Sequence, residues 1–411
     1  MKNLQPRAWI LCLSAFIVAS GGAPRLSGAD VPQPELQVFP NLPKDYLREE
    51  PNPPDFWVST TDGVASYLVQ QVHRGTVELI GNSAGGRPIR AVFYGHARQG
   101  KGTTTFSGGI GSRQMQAYYG PDFGKKVYMV MAGIHGGEFE GIVGLVNLLS
   151  VLETGRDMRG HPWPEIVSAA AGIDRIIVIP IVNMDGRARI AVRMEAFRGS
   201  SNRIQEYLNT GGWSDGELIG WPAVKAHIPL DFSQTQFPGG YPNDNGVNIM
   251  HDDFFGARQP ETQALFDLAA RERPDLILNL HTGAGLDDYF ARVHPPVGEE
   301  VLKPAFDGLY RAVHTALTRA GMQGSNDVAV ETDPSHANGY GYNLDSALDY
   351  HCGALSLVVE FPSHAFSGKN QKGEVVRHTA DQLLDEVLTV QQESMKYLVA
   401  AGGRQRWAGG K

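Results

Sequence analysis

Four apolar runs constrain the fold of this chain more than any other feature: Val127–Gly133, Arg175–Val182, Asp275–Leu280 and Ala354–Phe361. Each is nearly continuous in apolar residues and does not alternate with polar ones. A strand of that kind needs cover on both faces, the situation of a central strand in a parallel sheet. Helical spacing fills the intervals at Gly141–Glu153, Pro260–Arg273 and Lys303–Gly321, and a long amphipathic stretch from Ala380 to Ala400 follows the last strand. This alternation predicts an α/β fold, a three-layer α/β/α sandwich with a mixed, largely parallel central sheet. In such sheets ligands gather beyond the carboxyl ends of the strands, so polar residues at those ends carry the functional signal.

The flanking segments set the organisation. Residues 1–29 read as a secretory signal peptide: Lys2 and Arg7 precede the apolar stretch Ala8–Ser20, and Ala23 or Ala29 offers a small-residue cleavage site. That stretch is shorter than the ~20 residues a membrane span requires. The expectation is a secreted or periplasmic protein with no membrane span after signal cleavage. Residues 30–60 are punctuated by prolines and predict an N-terminal strap, residues 61–403 the globular domain, and residues 404–411 a tail. Residues 97–126, rich in Gly, Ser and Gln, read as an insertion loop. The formal net charge is −8, and it becomes −11 when residues 1–29, with Lys2, Arg7 and Arg25 and no acid, are removed. That balance disfavours nucleic acid and anionic membrane surfaces as partners. Cys12 falls in the signal segment, which leaves Cys352 alone, expected as a small core residue and not a disulfide partner.

Three strand ends deliver polar groups. "MAGIHGGEFEG" places His135 and Glu138 three residues apart where a strand gives way to a helix. Alone this spacing also suits an ordinary polar turn. "DLILNLHTGAG" brings His281 out of an otherwise apolar run, where a hydrogen-bonded core histidine is the plainer reading, and "LSLVVEFPSH" carries Glu360 on the last strand. A carboxylate in such a run is costly unless it is paired or functional. Two histidines and a carboxylate suit Zn²⁺ with one position left open, and a separate carboxylate can serve as general base towards a water. Gly81-Asn82-Ser83-Ala84-Gly85 also fits a serine nucleophile elbow, but that motif needs a helix after it, and a second strand-like segment starts at Pro88. A plain hairpin accounts for it better.

Taken together these residues resemble the zinc metallocarboxypeptidases of the carboxypeptidase A type. The resemblance runs from Val77 to Glu360 through "IGNSAGGRPI", "HGGE", "PIVNMDGRAR", "PETQAL" and "LVVE" in the family's order. It implies a carboxypeptidase-like catalytic domain over residues 61–403, with His135, Glu138 and His281 as zinc ligands, Glu360 as catalytic base, and a peptide or small amide as substrate.

One stretch departs from the family. Where an Asn-Arg pair usually grips the substrate's terminal carboxylate, this chain has Met250-His251. Histidine lacks the bidentate fork of a guanidinium and is largely neutral above its ordinary pKa of ~6.5. Weak activity on ordinary C-terminal reporter peptides is therefore expected. His251, Arg193 and Tyr342 are the candidate substrate-binding residues. Arg198 is an alternative to Arg193, with a surface salt bridge equally open, and Tyr340 is an alternative to Tyr342, with loop packing equally open. The glycine-rich, aromatic stretch 196–246 is expected to rim the cleft, with a packed surface excursion equally open. Two other readings remain: an amidase or deacylase resembling the succinylglutamate desuccinylase and aspartoacylase group, and a catalytically silent binding protein.

Overall fold

The computed structural model describes residues 39, 41–42, 46 and 48–407, apart from 200–202, 284–290, 323–326, 370–371 and 373. The expected signal peptide and most of the strap before residue 48 lie outside the described residues.

The four apolar runs lie side by side at the centre of a seven-stranded sheet. Across it the strands follow the order Thr76–Asn82, Pro88–Gly95, Arg175–Ile179, Val127–Ala132, Leu276–Thr282, Leu355–Phe361 and Arg292–His294. The central four pair in parallel. The hairpin on one edge and the short strand on the other add antiparallel pairs. Every residue of Val127–Ala132 and Leu276–Thr282 is buried, as continuous apolar runs require. The strand from Arg175 stops at Ile179, earlier than the apolar run, because Pro180 has no N–H to offer the ladder.

Helices cover both faces. Phe139–Thr154 has every residue from Phe139 to Leu152 buried. Ala380–Ala401 opens with a reciprocal cap, in which Thr379 accepts from the Gln382 N–H while the Gln382 side chain accepts from Thr379 N. Cys352 is buried at the end of helix Leu344–Cys352, its thiol donating to Leu348 O at 3.2 Å, in keeping with a core role.

Two boundaries differ from expectation. The insertion 97–126 is not a plain loop: it contains the short helices Phe106–Ser112 and Met115–Tyr119, and the buried Tyr119 stacks on Phe123. The tail does not begin at residue 404. Arg404 is buried, donates to Gly353 O at 2.7 Å and pairs with Glu299 at 2.8 Å, so Arg404–Trp407 forms a last helical turn of the domain. Within residues 48–60, Glu50 N donates to Met194 O at 2.9 Å and Trp57 is buried.

Candidate metal centre

The parallel register aligns the chemistry. Ala132 is level with Leu280 on the neighbouring strand, and His281 is level with Glu360 on the next. His135 follows the first strand through a tight turn, and Glu138 sits at the N-terminal boundary of helix Phe139–Thr154, where a carboxylate is favoured. The ligand atoms of His135, Glu138 and His281 all lie within 4.8 Å of one another. Glu138 Oε1 is 2.9 Å from His135 Nδ1, its Oε2 is 3.0 Å from His281 Nδ1, and the two Nδ1 atoms are 3.3 Å apart. Ligands at Zn–N distances near 2.05 Å in a tetrahedral shell stand about 3.3 Å from one another. The donor set therefore fits a zinc ion in type, number and spacing.

Surrounding groups aim these ligands. His135 Nε2 lies 3.3 Å from Asn248 Oδ1, an acceptor that would hold the ring's proton on Nε2 and leave the Nδ1 lone pair for a metal when one is bound. Tyr241 stacks on the His135 ring, centroids 3.7 Å apart and planes at 10°. Thr282 N donates to Glu138 Oε2 at 3.1 Å, while Thr282 Oγ1 donates to the buried Glu140 at 2.9 Å. Burial works to raise the Glu138 carboxyl, but the two histidines hold it down at about 2. His281 shows the reverse: burial works to lower it, and Glu138 holds it up at about 9. A carboxylate kept ionised between two imidazoles is suited to receive a cation.

Glu360 shares the cavity, which measures about 370 Å³. Burial pushes its carboxyl up to about 7, with the Glu138 charge adding and His281, the Tyr340 hydroxyl and Lys225 opposing. Its Oε2 is shielded from solvent and has no hydrogen-bond partner among the described residues. Gly283 makes room for it, because a Cβ there would lie 2.8 Å from Oε2. A buried carboxyl with an unpartnered oxygen beside the candidate ligand cluster stands where a general base would.

His251 also lines the cavity, and burial, reinforced by Lys225 and the two ligand histidines, pushes its imidazole down to about 4. It is neutral at physiological pH and supplies no charge for a carboxylate. Two other candidates are corrected. Arg193 is outside the cavity and on the surface: its backbone N donates to Glu49 and its guanidinium to Pro53 O, both at 3.2 Å, so it fastens the strap. Arg198 does not replace it, being buried against Glu195 at 3.3 Å. Tyr342 is also outside the cavity, half-exposed and stacked on Phe255. Tyr340 is the tyrosine that lines it. Its hydroxyl lies 3.3 Å from His294 Nε2 and, in the same cavity, favours the ionised form of Glu360. His294 Nδ1 must donate to Asn338 O, at 2.6 Å, so Nε2 accepts from the tyrosine hydroxyl.

Trp221, Lys225, Tyr241 and Asn248 also line the cavity. Sequence reasoning singled out none of them. Trp221, Lys225 and Tyr241 come from the stretch expected to rim the cleft, where no periodicity marks one residue over another. Ser83 of the elbow-like motif sits in the hairpin turn, with its hydroxyl on Asp185, while Arg87 pairs with Asp185 at 2.7 Å. The motif is a structural anchor and no nucleophile.

A sequence model described as zinc carboxypeptidase (Peptidase M14) matches residues 68–292, more than half of the chain. The chain belongs to the zinc carboxypeptidase family. The match includes His135, Glu138 and His281; Glu360 lies beyond it. None of the curated proteins matches the chain by sequence. Among solved structures, the chain is similar to a metallo-carboxypeptidase from Burkholderia cenocepacia, at 16% identity over 82% of this chain and 69% of that one, with a TM-score of 0.49. It is also similar to a metallo-carboxypeptidase from Pseudomonas aeruginosa in complex with (2-guanidinoethylmercapto)succinic acid, at 14% identity over 83% and 68%, TM-score 0.47. A third is thrombin activatable fibrinolysis inhibitor, at 11% identity over 87% and 82%, TM-score 0.46.

Proposed function

We propose that this protein is an exported zinc-dependent hydrolase that cleaves a peptide or amide bond, with Glu360 as general base. The observation that carries the reading is the convergence of His135, Glu138 and His281 on one point, with Glu360 in register beside His281. When bound, zinc would polarise the scissile carbonyl and make a water easier to deprotonate. The chain supplies the remainder. Glu360, level with His281 in the same cavity, accepts the proton from the attacking water and returns it to the departing amine. The Tyr340 hydroxyl, in the same cavity, favours the ionised form of Glu360. Asn248 and Tyr241 fix the His135 ring. Residues 1–29 support export, and fractionation of the native host with an antibody to the mature domain checks it.

Elemental analysis and a substrate panel test the activity together. The expected result is one zinc per chain and hydrolysis of at least one member of a panel of peptides, peptide amides and N-acyl amino acids. In Glu360→Gln the metal stays and turnover falls by at least ~10²-fold, because the carboxamide keeps the shape but takes no proton. Near-normal turnover in that variant overturns the assignment of the base. Cleavage confined to N-acyl amino acids would favour the deacylase reading.

A further inference from the structure

The cavity contains one ammonium group that the family pattern does not account for. Lys225 lies in the 3₁₀ turn Ala223–Ala226 of the insertion, and among the described residues it is the only lysine or arginine lining the cavity. Its Nζ rests 4.7 Å from the centre of the Trp221 ring. No carboxylate pairs with it among the described residues; its acidic neighbour in the cavity is Glu360, which acts on it only through space. A half-buried cation without a counter-ion carries a desolvation cost that a binding role would explain.

The segment bearing Lys225 is anchored to the metal centre. Val224, next to it, packs with Ile219, Leu230 and Tyr241 in a small apolar cluster separate from the main core. Tyr241 is also the residue stacked on His135. One ring thus joins the apolar cluster beneath the Lys225 turn to His135. The site where the family carries its carboxylate-gripping arginine holds a neutral imidazole and a thioether here, His251 and Met250.

We infer that Lys225 is the residue that recognises an anionic group of the substrate, a carboxylate, with Trp221 as the flat apolar wall beside it. This rests on the hydrolase reading above, and it names the substrate class: amides or peptides bearing a carboxylate within reach of the insertion and not of the strand-end loop at residue 251. The carboxylate can be the chain's terminal group or the side chain of an acidic residue. A lysine contributes a rotatable point charge and no planar fork, so it tolerates either.

The experiment uses the zinc-loaded enzyme and three forms of one peptide. The first has a free C-terminus, the second is amidated with a final Glu, and the third is amidated with a final Gln. Wild type, Lys225→Met and Lys225→Arg are compared by kcat/KM and by calorimetric binding to the same proteins carrying Glu360→Gln. The expected result is a wild-type preference for one or both carboxylate-bearing forms, carried mainly in KM. That preference shrinks tenfold or more in Lys225→Met and is substantially restored in Lys225→Arg. Zinc content and thermal midpoint show that the variants are folded. A preference that survives in Lys225→Met, or a wild type indifferent to the carboxylate, overturns the inference. If no peptide form is cleaved, nor any member of the wider substrate panel, but the carboxylate forms still bind more tightly through Lys225, the hydrolase reading has failed and the recognition site has not.

Discussion

Gly136 offers a direct test of how the ligand turn is held. A Cβ at this position would lie 2.1 Å from Gly186 C, 2.2 Å from Arg187 N and 2.3 Å from Gly186 O. All three are backbone atoms, so no side chain can swing aside. Ordinary contact begins at 3.4 Å, which means that Gly136→Ala must part the two backbones by about 1.3 Å. Gly136 N also donates to Gly240 O at 2.8 Å, a bond that such a movement stretches. Overpacking of this kind costs about 1–3 kcal/mol, and for a domain of this size that lowers the thermal midpoint by several degrees. The larger effect falls on His135 and Glu138, which flank the turn with contacts of 2.9–3.3 Å. Displacing groups that orient ligands typically costs about 10–100-fold in metal affinity. The assay is competitive zinc titration with a chromogenic chelator, paired with differential scanning calorimetry. Gly111→Ala is the control, since nothing lies within 4 Å of a Cβ there. A Gly136→Ala protein with wild-type zinc affinity and an unchanged midpoint would refute the reasoning, because it would show that the turn relaxes without moving its ligands.

Three further outcomes are expected. A His135→Ala/His281→Ala double variant should lose stoichiometric zinc; retention by elemental analysis would move the metal site elsewhere. Tyr340→Phe removes the cavity hydroxyl that favours the Glu360 carboxylate; if the working enzyme draws that hydroxyl into a hydrogen bond with the ionised carboxylate, worth about 1.5–3 kcal/mol, kcat/KM should fall roughly 10–100-fold with zinc retained. Tyr342→Phe should lose less than about twofold, and the opposite ranking would reverse the choice between the tyrosines. His314 is pushed down to about 3 by burial, with Arg292 and His294 adding. Its imidazole takes up a proton near pH 6.5 in the unfolded chain but only near 3 when folded, so its contribution is complete above 6.5 and is lost as the pH falls towards 3. At pH 4.5 the loss is up to about 3 kcal/mol. His314→Gln should shrink the drop in unfolding free energy between pH 7 and 4.5, and an equal drop in both proteins would show that the burial penalty is relieved by other means.

The central sheet was legible because two-sided burial leaves a mark on composition that needs no neighbour to interpret. His135, Glu138, His281 and Glu360 were legible for the opposite reason: each is a polar group that an apolar strand end would not otherwise hold. The residues that escaped lie where chain order says little about space. Tyr340 and Tyr342 are two positions apart in a loop with no period; one leans on His294 while the other stacks on the exposed Phe255. Arg193 was misplaced because its partners, Glu49 and Pro53, come from the proline-rich strap, whose docking site has no signature. Lys225 belongs to an insertion whose place over the cavity depends on a small cluster of its own.

The ligands come from distant parts of the chain, His135 and His281 being 146 positions apart. They meet only when the strands Val127–Ala132 and Leu276–Thr282 are paired. The unfolded chain has no such triad, so an ion held there binds the native state almost exclusively. Metal concentration then becomes a thermodynamic variable of folding: each tenfold rise in free ion above the dissociation constant adds about 1.4 kcal/mol to the unfolding free energy. Chelation would act as a mild denaturant of this protein, and its thermal midpoint would report the free zinc of whatever compartment it occupies.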